Sequence, residues 1–141
     1  MLQKASMTKE IRLTVDNSVG ILSTITAFLA DSGINIEAVV GYGTADPGTA
    51  EIMLVVDDTR RATDALKEKR IGSMTENDVI MVEMENKPGA LSSMTRLLAQ
   101  KEINIGYLYA TTSPNRAPVK VVLSTDDNEK AYVTLKKSLS V

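Results

Sequence analysis

Two short stretches carry the residues whose types and spacing could do chemistry. Asp16-Asn17-Ser18-Val19-Gly20 precedes an apolar-periodic segment, and Glu85-Asn86-Lys87-Pro88-Gly89 does the same 69 residues later. The chemistry on offer is recognition rather than bond-making. A helix starting after such a loop presents unpaired N–H groups and the positive end of its dipole, a setting for a carboxylate. Gly20 and Gly89 let a ligand approach the backbone closely. The amides of Asn17 and Asn35 offer donors and acceptors, and Asp16 or Glu85 can face an ammonium group. Each residue also has a purely structural reading. Asn17 and Asn86 are good helix caps. Gly20 and Gly89 suit tight helix–strand packing. Asn35 and Asn104 can satisfy a backbone group where the chain turns into a strand.

Composition removes most alternatives. The 141 residues include no Cys and no His, so disulfides, thiolate chemistry and an imidazole base are excluded. Asp57-Asp58 and Asp126-Asp127 are paired carboxylates, but each pair opens a helical pattern. They read as N-caps and dipole partners, and no His or Cys supports a metal site. No cofactor is implied. The net charge of −2 and a pI near 5.2 give no basic surface for nucleic acid. No apolar run reaches the ~20 residues needed to span a bilayer, and MLQKASMTKE lacks the apolar centre of a signal peptide. A cytoplasmic protein without a nucleic-acid or membrane partner is expected.

The elements that must position these residues follow from periodicity. Residues 1–9 are polar and unpatterned and read as a frayed terminus. Ile11, Leu13 and Val15 alternate with Arg12 and Thr14, a half-buried strand. Asp16-Asn17-Ser18 supplies an N-cap signal. Ile21, Leu22, Ile25, Phe28 and Leu29 make one helical stripe, and Gly33 is a left-handed C-cap. Strands follow at 34–42 and 49–57, joined by the turn cluster Gly41–Gly48. A second helix spans 59–69, with Ala62, Ala65 and Leu66 inward. A short fourth strand covers 71–75, weakened by Gly72.

The second half runs in step. Ile80, Val82 and Met84 match Ile11, Leu13 and Val15. Val79 and Met81 make this strand apolar on its other face too, so it should sit centrally. Pro88 suits the first helical position. Leu91, Met94, Leu97 and Leu98 form the stripe. Strands at 103–112 and 119–125 flank a hairpin loop at 113–118, and Ala131, Leu135 and Leu139 mark the last helix. By the repeat offset a fourth strand should begin near Ser140, where the chain stops. Either the unit is cut short or another segment, such as one from a partner chain, supplies that edge.

A strand–helix–strand–strand–helix–strand order folds as a four-stranded antiparallel sheet with both helices on one face. The expected fold class is α+β: two tandem ferredoxin-like βαββαβ units, at 8–77 and 78–141, the last strand short or missing. A 69-residue unit buries only about 60% of its unfolded surface, so units should pack on each other or on a second chain. An exposed sheet edge invites pairing, and a homodimer is expected. RNA-recognition domains share this order but stack bases on sheet aromatics. EIMLVV and KVVLS have none, and the chain is acidic.

DNSVGILSTITAFLADSGINI and ENKPGALSSMTRLLAQKEINI resemble the signature of ACT domains. That pattern is an Asn-x-x-Gly-x-Leu loop opening the first helix, then Gly-x-Asn-Ile starting the second strand. Both copies carry it, with Glu102 in place of Gly33 in the second. The resemblance extends from about residue 8 to the C-terminus. It implies a regulatory module, amino-acid binding, found on or beside enzymes of amino-acid metabolism. It implies effector contacts at an interface between units, made by Asn17, Val19, Gly20, Ile21, Asn35 and Ile36 in the first copy. In the second copy they are Asn86, Pro88, Gly89, Ala90, Asn104 and Ile105. Serine-responsive members carry a His two residues before the loop Asn, where this chain has Val15 and Met84. Small regulatory subunits of acetolactate synthase belong to the same family, and Glu85-Asn86-x-x-Gly89 resembles them. The loops differ between copies, Ser18-Val19 against Lys87-Pro88, so the two sites need not be equivalent.

The expected function is therefore a metabolite sensor. It would bind an amino acid at an interface between units and modulate a partner enzyme. The alternative is a ligand-free module for dimerisation or docking. An enzyme is not expected, since no nucleophile–base pair, phosphate loop or metal cluster is present.

Overall fold

The computed structural model describes residues 1–112, 115 and 117–139. The elements are β1 (Leu2–Asp16), α1 (Ile21–Asp31), β2 (Ile36–Gly43), β3 (Thr49–Val56), α2 (Thr59–Lys69), β4 (Ser73–Met84), α3 (Ala90–Gln100), β5 (Ile105–Thr111), β6 (Val119–Thr125) and α4 (Asn128–Lys137). The chain divides into two compact units. The first is Lys9–Asn77; the second combines Met1–Thr8 with Asp78–Val141.

In the first unit the strand order is β2-β3-β1-β4. Alternation along β1 sends Ile11, Leu13 and Val15 to one face. Antiparallel pairing sets Ile11 opposite Leu54 and Leu13 opposite Ile52. Those side chains meet Ile25 and Leu29 of α1 and Ala62 and Leu66 of α2 in one core, so both helices cover the same face. Fully burying a side chain such as Leu29 or Leu54 stabilises by roughly 2 kcal/mol. Ile71 and Met74 close the core on the β4 side. Asp58 caps α2 by accepting the Arg61 N–H at 3.1 Å. At Gly72, any Cβ would collide with the Thr14 carbonyl. Its place in the sequence thus reflects two backbones in close approach.

The second unit has the order β5-β6-β4-β1. Ile80 pairs with Leu123 and Val82 with Val121. Their core takes in Met94 and Leu98 of α3 and Ala131 and Leu135 of α4, together with Leu2 and Ala5. Residues 1–9 are therefore not frayed. Leu2 and Ala5 do for the second unit what Ile71 and Met74 do for the first. The Glu85 N–H donates to the Met1 carbonyl at 2.9 Å, fixing the start of β1 beside the end of β4. The missing edge is supplied from the same chain. The strand expected near Ser140 lies outside the described residues, as do Ser113, Pro114 and Arg116 of the expected 113–118 loop.

Other expectations are corrected too. Residues 71–75 and the strand through 80–84 are not separate strands, because β4 runs unbroken from Ser73 to Met84. The Asp16-Asn17-Ser18 group does not cap α1. Gly20 holds that position in the left-handed region, φ +88°, with no side-chain cap. Gly89 repeats this at φ +87° before α3, so Pro88 precedes the cap instead of opening the helix. Gly33, at φ +70°, does end α1 as expected. The Ile34 N–H then reaches the Leu29 carbonyl at 2.9 Å. Glu102 occupies the same place after α3 at φ +57°, which costs a residue with a Cβ about 1 kcal/mol.

Two outcomes follow from these packings. Truncating Leu2 to Ala should cost about 2–4 kcal/mol, and removing residues 1–8 should unfold the second unit while the first still melts cooperatively. Calorimetry and hydrogen exchange in β6 and α4 read this directly. Glu102→Gly should raise stability by about 0.5–1 kcal/mol in chemical denaturation.

Candidate functional site

The loop before α1 is built by backbone bonds, not by capping side chains. The Asn17 N–H donates to the Gly48 carbonyl at 2.7 Å, and the Ile21 N–H to the Ser18 carbonyl at 3.2 Å. The first bond ties the loop to the β2–β3 hairpin. Gly20 turns the chain into the helix, and the first turn of α1 is left without a side-chain cap. Among the described residues the side chains of Asp16 and Asn17 make no hydrogen bond or ion pair.

Beside this loop lies an open cavity of about 330 Å³, wholly within the first unit. Ile21 and Leu22 form one wall, and Ala50 and Ile52 the apolar floor. Gly41 and Gly43 sit at alternate positions of β2, where side chains would point into it. A Cβ on Gly41 would lie 3.6 Å from Ile52 Cγ1, and one on Gly43 only 3.2 Å from Asn17 Nδ2. The space exists because both residues lack side chains. Leu22, Val39 and Tyr42 on the rim are 43–47% exposed, and Val19 is fully exposed.

Tyr42 is the one titratable group in the lining. Its hydroxyl donates to Glu51 Oε2 at 2.7 Å, and Arg12 Nη1 stands 3.9 Å from the same oxygen. The Glu51 hydrogen bond, then burial, hold the Tyr42 pKa above the usual 10.0.

The candidate residues separate in space. Asn17 and Ile21 line the cavity. Val19 and Gly20 belong to the exposed loop beside it. Asn35 and Ile36 do not line it. Asn35 forms a reciprocal pair with Asp57: its N–H donates to Asp57 Oδ1 at 3.0 Å, and its carbonyl accepts the Asp57 N–H at 3.1 Å. Ile36 packs against the core. Asp57 is thus a clasp between strand ends, not a cap. Asn104 and Asp126 repeat the clasp, with the Asn104 N–H donating to Asp126 Oδ1 at 3.0 Å.

In the second unit Ala90 is buried and Ile105 packs on the core, while Pro88 and Gly89 are exposed. Asn86 Nδ2 donates to Thr112 Oγ1 at 2.8 Å. Glu85 faces Lys87 Nζ at 3.0 Å and the Met1 ammonium at 3.6 Å. Lys87 first, by hydrogen bond and charge, pulls the Glu85 pKa below its usual value. A larger groove of about 550 Å³ between α3 and α4, bordered by Lys101, Lys130 and Lys137, contains none of the candidate residues.

Apart from Asn17 and Ile21, sequence reasoning missed the cavity lining: Leu22, Ala50, Ile52 and the β2 stretch Val39–Gly43. Gly41 and Tyr42 read as the end of a strand passing into a turn, and Gly43 as part of that turn. The alternation of the two glycines within a strand is the mark of a floor without side chains.

Residues 11–70 and 80–140 each match the AHAS small subunit-like ACT domain family. The chain belongs to that family. It is a tandem of two ACT units, each α+β with an antiparallel sheet and a pair of helices. Comparison with curated proteins gives no match. A solved protein of Bacteroides thetaiotaomicron is 27% identical, with a TM-score of 0.85 over 94% of this chain and 89% of that one. The ligand-free regulatory subunit of aspartate kinase from Thermus thermophilus is 17% identical, with a TM-score of 0.70 over 99% of each chain. The corresponding subunit of Thermus flavus is 18% identical, with a TM-score of 0.69 over 96% and 97%. The Thermus subunits share the ACT tandem fold. No helix among the described residues is long and apolar enough to cross a membrane.

Because the folded-state pKa of Tyr42 is raised, its hydrogen bond stabilises at neutral pH and that contribution fades as pH rises through the raised value. The stability gap between the native chain and Tyr42→Phe should therefore shrink in alkali. In Glu51→Gln, ultraviolet titration should find the Tyr42 midpoint displaced back toward 10.0.

Proposed function

We propose that this ACT tandem binds an amino acid in the cavity beside the α1 loop and transmits its presence to an enzyme of amino-acid metabolism. The observation that carries the reading is the combination at one spot of an apolar trough and unengaged polar groups. The trough of Ile21, Leu22, Val39 and Ile52 suits an aliphatic side chain. Asn17, with a free amide, and the uncapped first turn of α1 suit an α-carboxylate. Asp16, one residue away, suits the ammonium. About 330 Å³ lies at the lower end of the range for small-ligand pockets, roughly 300–1,000 Å³.

The partner class follows the relatives. The matched family is named for a small subunit of AHAS, and the Thermus proteins are regulatory subunits of aspartate kinase. A catalytic subunit of that metabolic kind, in the cytoplasm, fits this chain. Regulation would arise because ligand binds one quaternary state better than another. The residues assigned to binding are Asn17, Val19, Gly20 and Ile21, joined by Leu22, Val39, Gly41 and Gly43. Asn35 and Ile36 act as supports for the β2 end. The chain does no chemistry of its own.

A second reading has a specific basis. Val19, Leu22, Val39 and Tyr42 form an exposed apolar rim next to β2, the edge strand of the first unit. That rim and edge suit a contact with another chain. A homodimer through this edge is compatible with ligand binding. A tight dimer indifferent to every amino acid would make the chain an assembly module.

A thermal-shift screen of the twenty L-amino acids separates these readings. A ligand at 100 times its Kd adds about 2.7 kcal/mol, and aliphatic amino acids should give the shifts. Asn17→Ala should weaken the best ligand about fivefold, the worth of one hydrogen bond, with the unliganded melting temperature unchanged. Absence of any shift at millimolar ligand would remove the sensor reading.

A further inference from the structure

We infer that the two ACT copies have divided their labour: the first copy is the ligand site, and the second is closed by its own Thr112. This rests on the amino-acid reading above and adds which copy binds and what decides it. The repeat offset aligns Gly41 with Ala110 and Gly43 with Thr112. The two positions that open the first cavity therefore both carry side chains in the second copy. Thr112 does more than fill space. Its hydroxyl accepts the Asn86 amide at 2.8 Å, whereas the matching Asn17 amide has only a glycine beside it.

Two further differences point the same way. Leu108, which matches Val39, packs on the core of its unit, while Val39 is 47% exposed at the cavity rim. Glu85, which matches Asp16, already faces two ammonium groups, from Lys87 and Met1. The loop backbone is nevertheless preserved, with Gly20 at φ +88° and Gly89 at φ +87°. The second copy thus retains the loop geometry of a site, with the Asn86 and Glu85 side chains engaged within the unit. A ligand entering there would have to break the Asn86–Thr112 bond and find room beside two added side chains. In the first copy it meets neither obstacle.

Gly43 is consequently the determinant of occupancy, and threonine at that position is the closed form. Titration calorimetry on the full chain tests this with whichever of the twenty L-amino acids gives the largest thermal shift. The native chain should bind one equivalent. Gly43→Thr should lose at least about tenfold in affinity, since a threonine there both fills the cavity and engages Asn17. Its unliganded melting temperature should stay near native, because Gly43 has no positive φ and the nearest atom is the end of a flexible side chain. Thr112→Gly should introduce a second, weaker equivalent, a gain that a folding defect cannot imitate. Two equivalents on the native chain, unaltered affinity in Gly43→Thr, or a single equivalent in Thr112→Gly would each overturn the inference while leaving the sensor reading intact. Binding of none of the twenty would overturn both.

Discussion

A sheet covered by two helices needs a strand on each side of its first strand, and the rest of this structure depends on how that need is met. Each repeat supplies β-α-β-β-α, which leaves the first strand paired on one side only. In the first unit the start of β4 fills the gap. In the second unit the chain has no further strand among its described residues, and the start of β1 fills it. Backbone N–H and C=O groups left open there would adjoin the core of the unit, where an unpaired polar group costs as much as a lost hydrogen bond. Leu2 and Ala5 then complete the apolar face. The position of the α1 and α3 loops follows, since each hangs from the end of a strand held on both sides.

The repeat, the order of helices and strands within it and most of the helix faces were legible in the sequence because they rest on local periodicity, although Leu22 and Leu91 of the expected stripes are 43% and 45% exposed. The range 59–69 for α2 is recovered intact, with Asp58 as its cap. The terminal strand was not legible. Its partner, β4, lies some eighty residues away, and most of its first half is exposed and polar, with Leu2 and Ala5 alone turned inward. No local period marks such an edge. The helix starts were misplaced for a related reason. Asn and Ser are good caps by propensity, yet the left-handed turn at Gly20 and Gly89 lets the backbone close the loop without them.

The candidate site was half legible. Asn17 and Ile21 could be placed because a loop before a helix has a recognisable signature. The floor could not, because it is defined by what two residues lack. Gly41 and Gly43 read as a turn in the sequence and as volume in the structure. The likeness of the two copies is greatest in the backbone, where Gly20 and Gly89 adopt nearly the same angles and Asp57 and Asp126 make the same clasp. They differ in the side chains that face the cavity. A duplicated scaffold can hold its loop geometry while the side chains around it diverge, since the residues that fix the loop are not those that line the cavity.

The placement of residues 2–8 also sets a timetable. During synthesis this segment leaves the ribosome well before its partner strand, which is made some eighty residues later. Lys9–Asn77 has all its strands in hand once residue 77 emerges and can fold at once, as domains do during translation. The second unit must wait for residues 78–139 to meet residues 1–8, closing a loop of high sequence separation before its core is sealed, which is the slow kind of step. Until then Leu2 and Ala5 remain without their core, carried by a segment rich in Lys, Gln, Ser and Thr that keeps it in solution. The polarity that disguises this strand in the sequence is what lets the nascent chain hold it open.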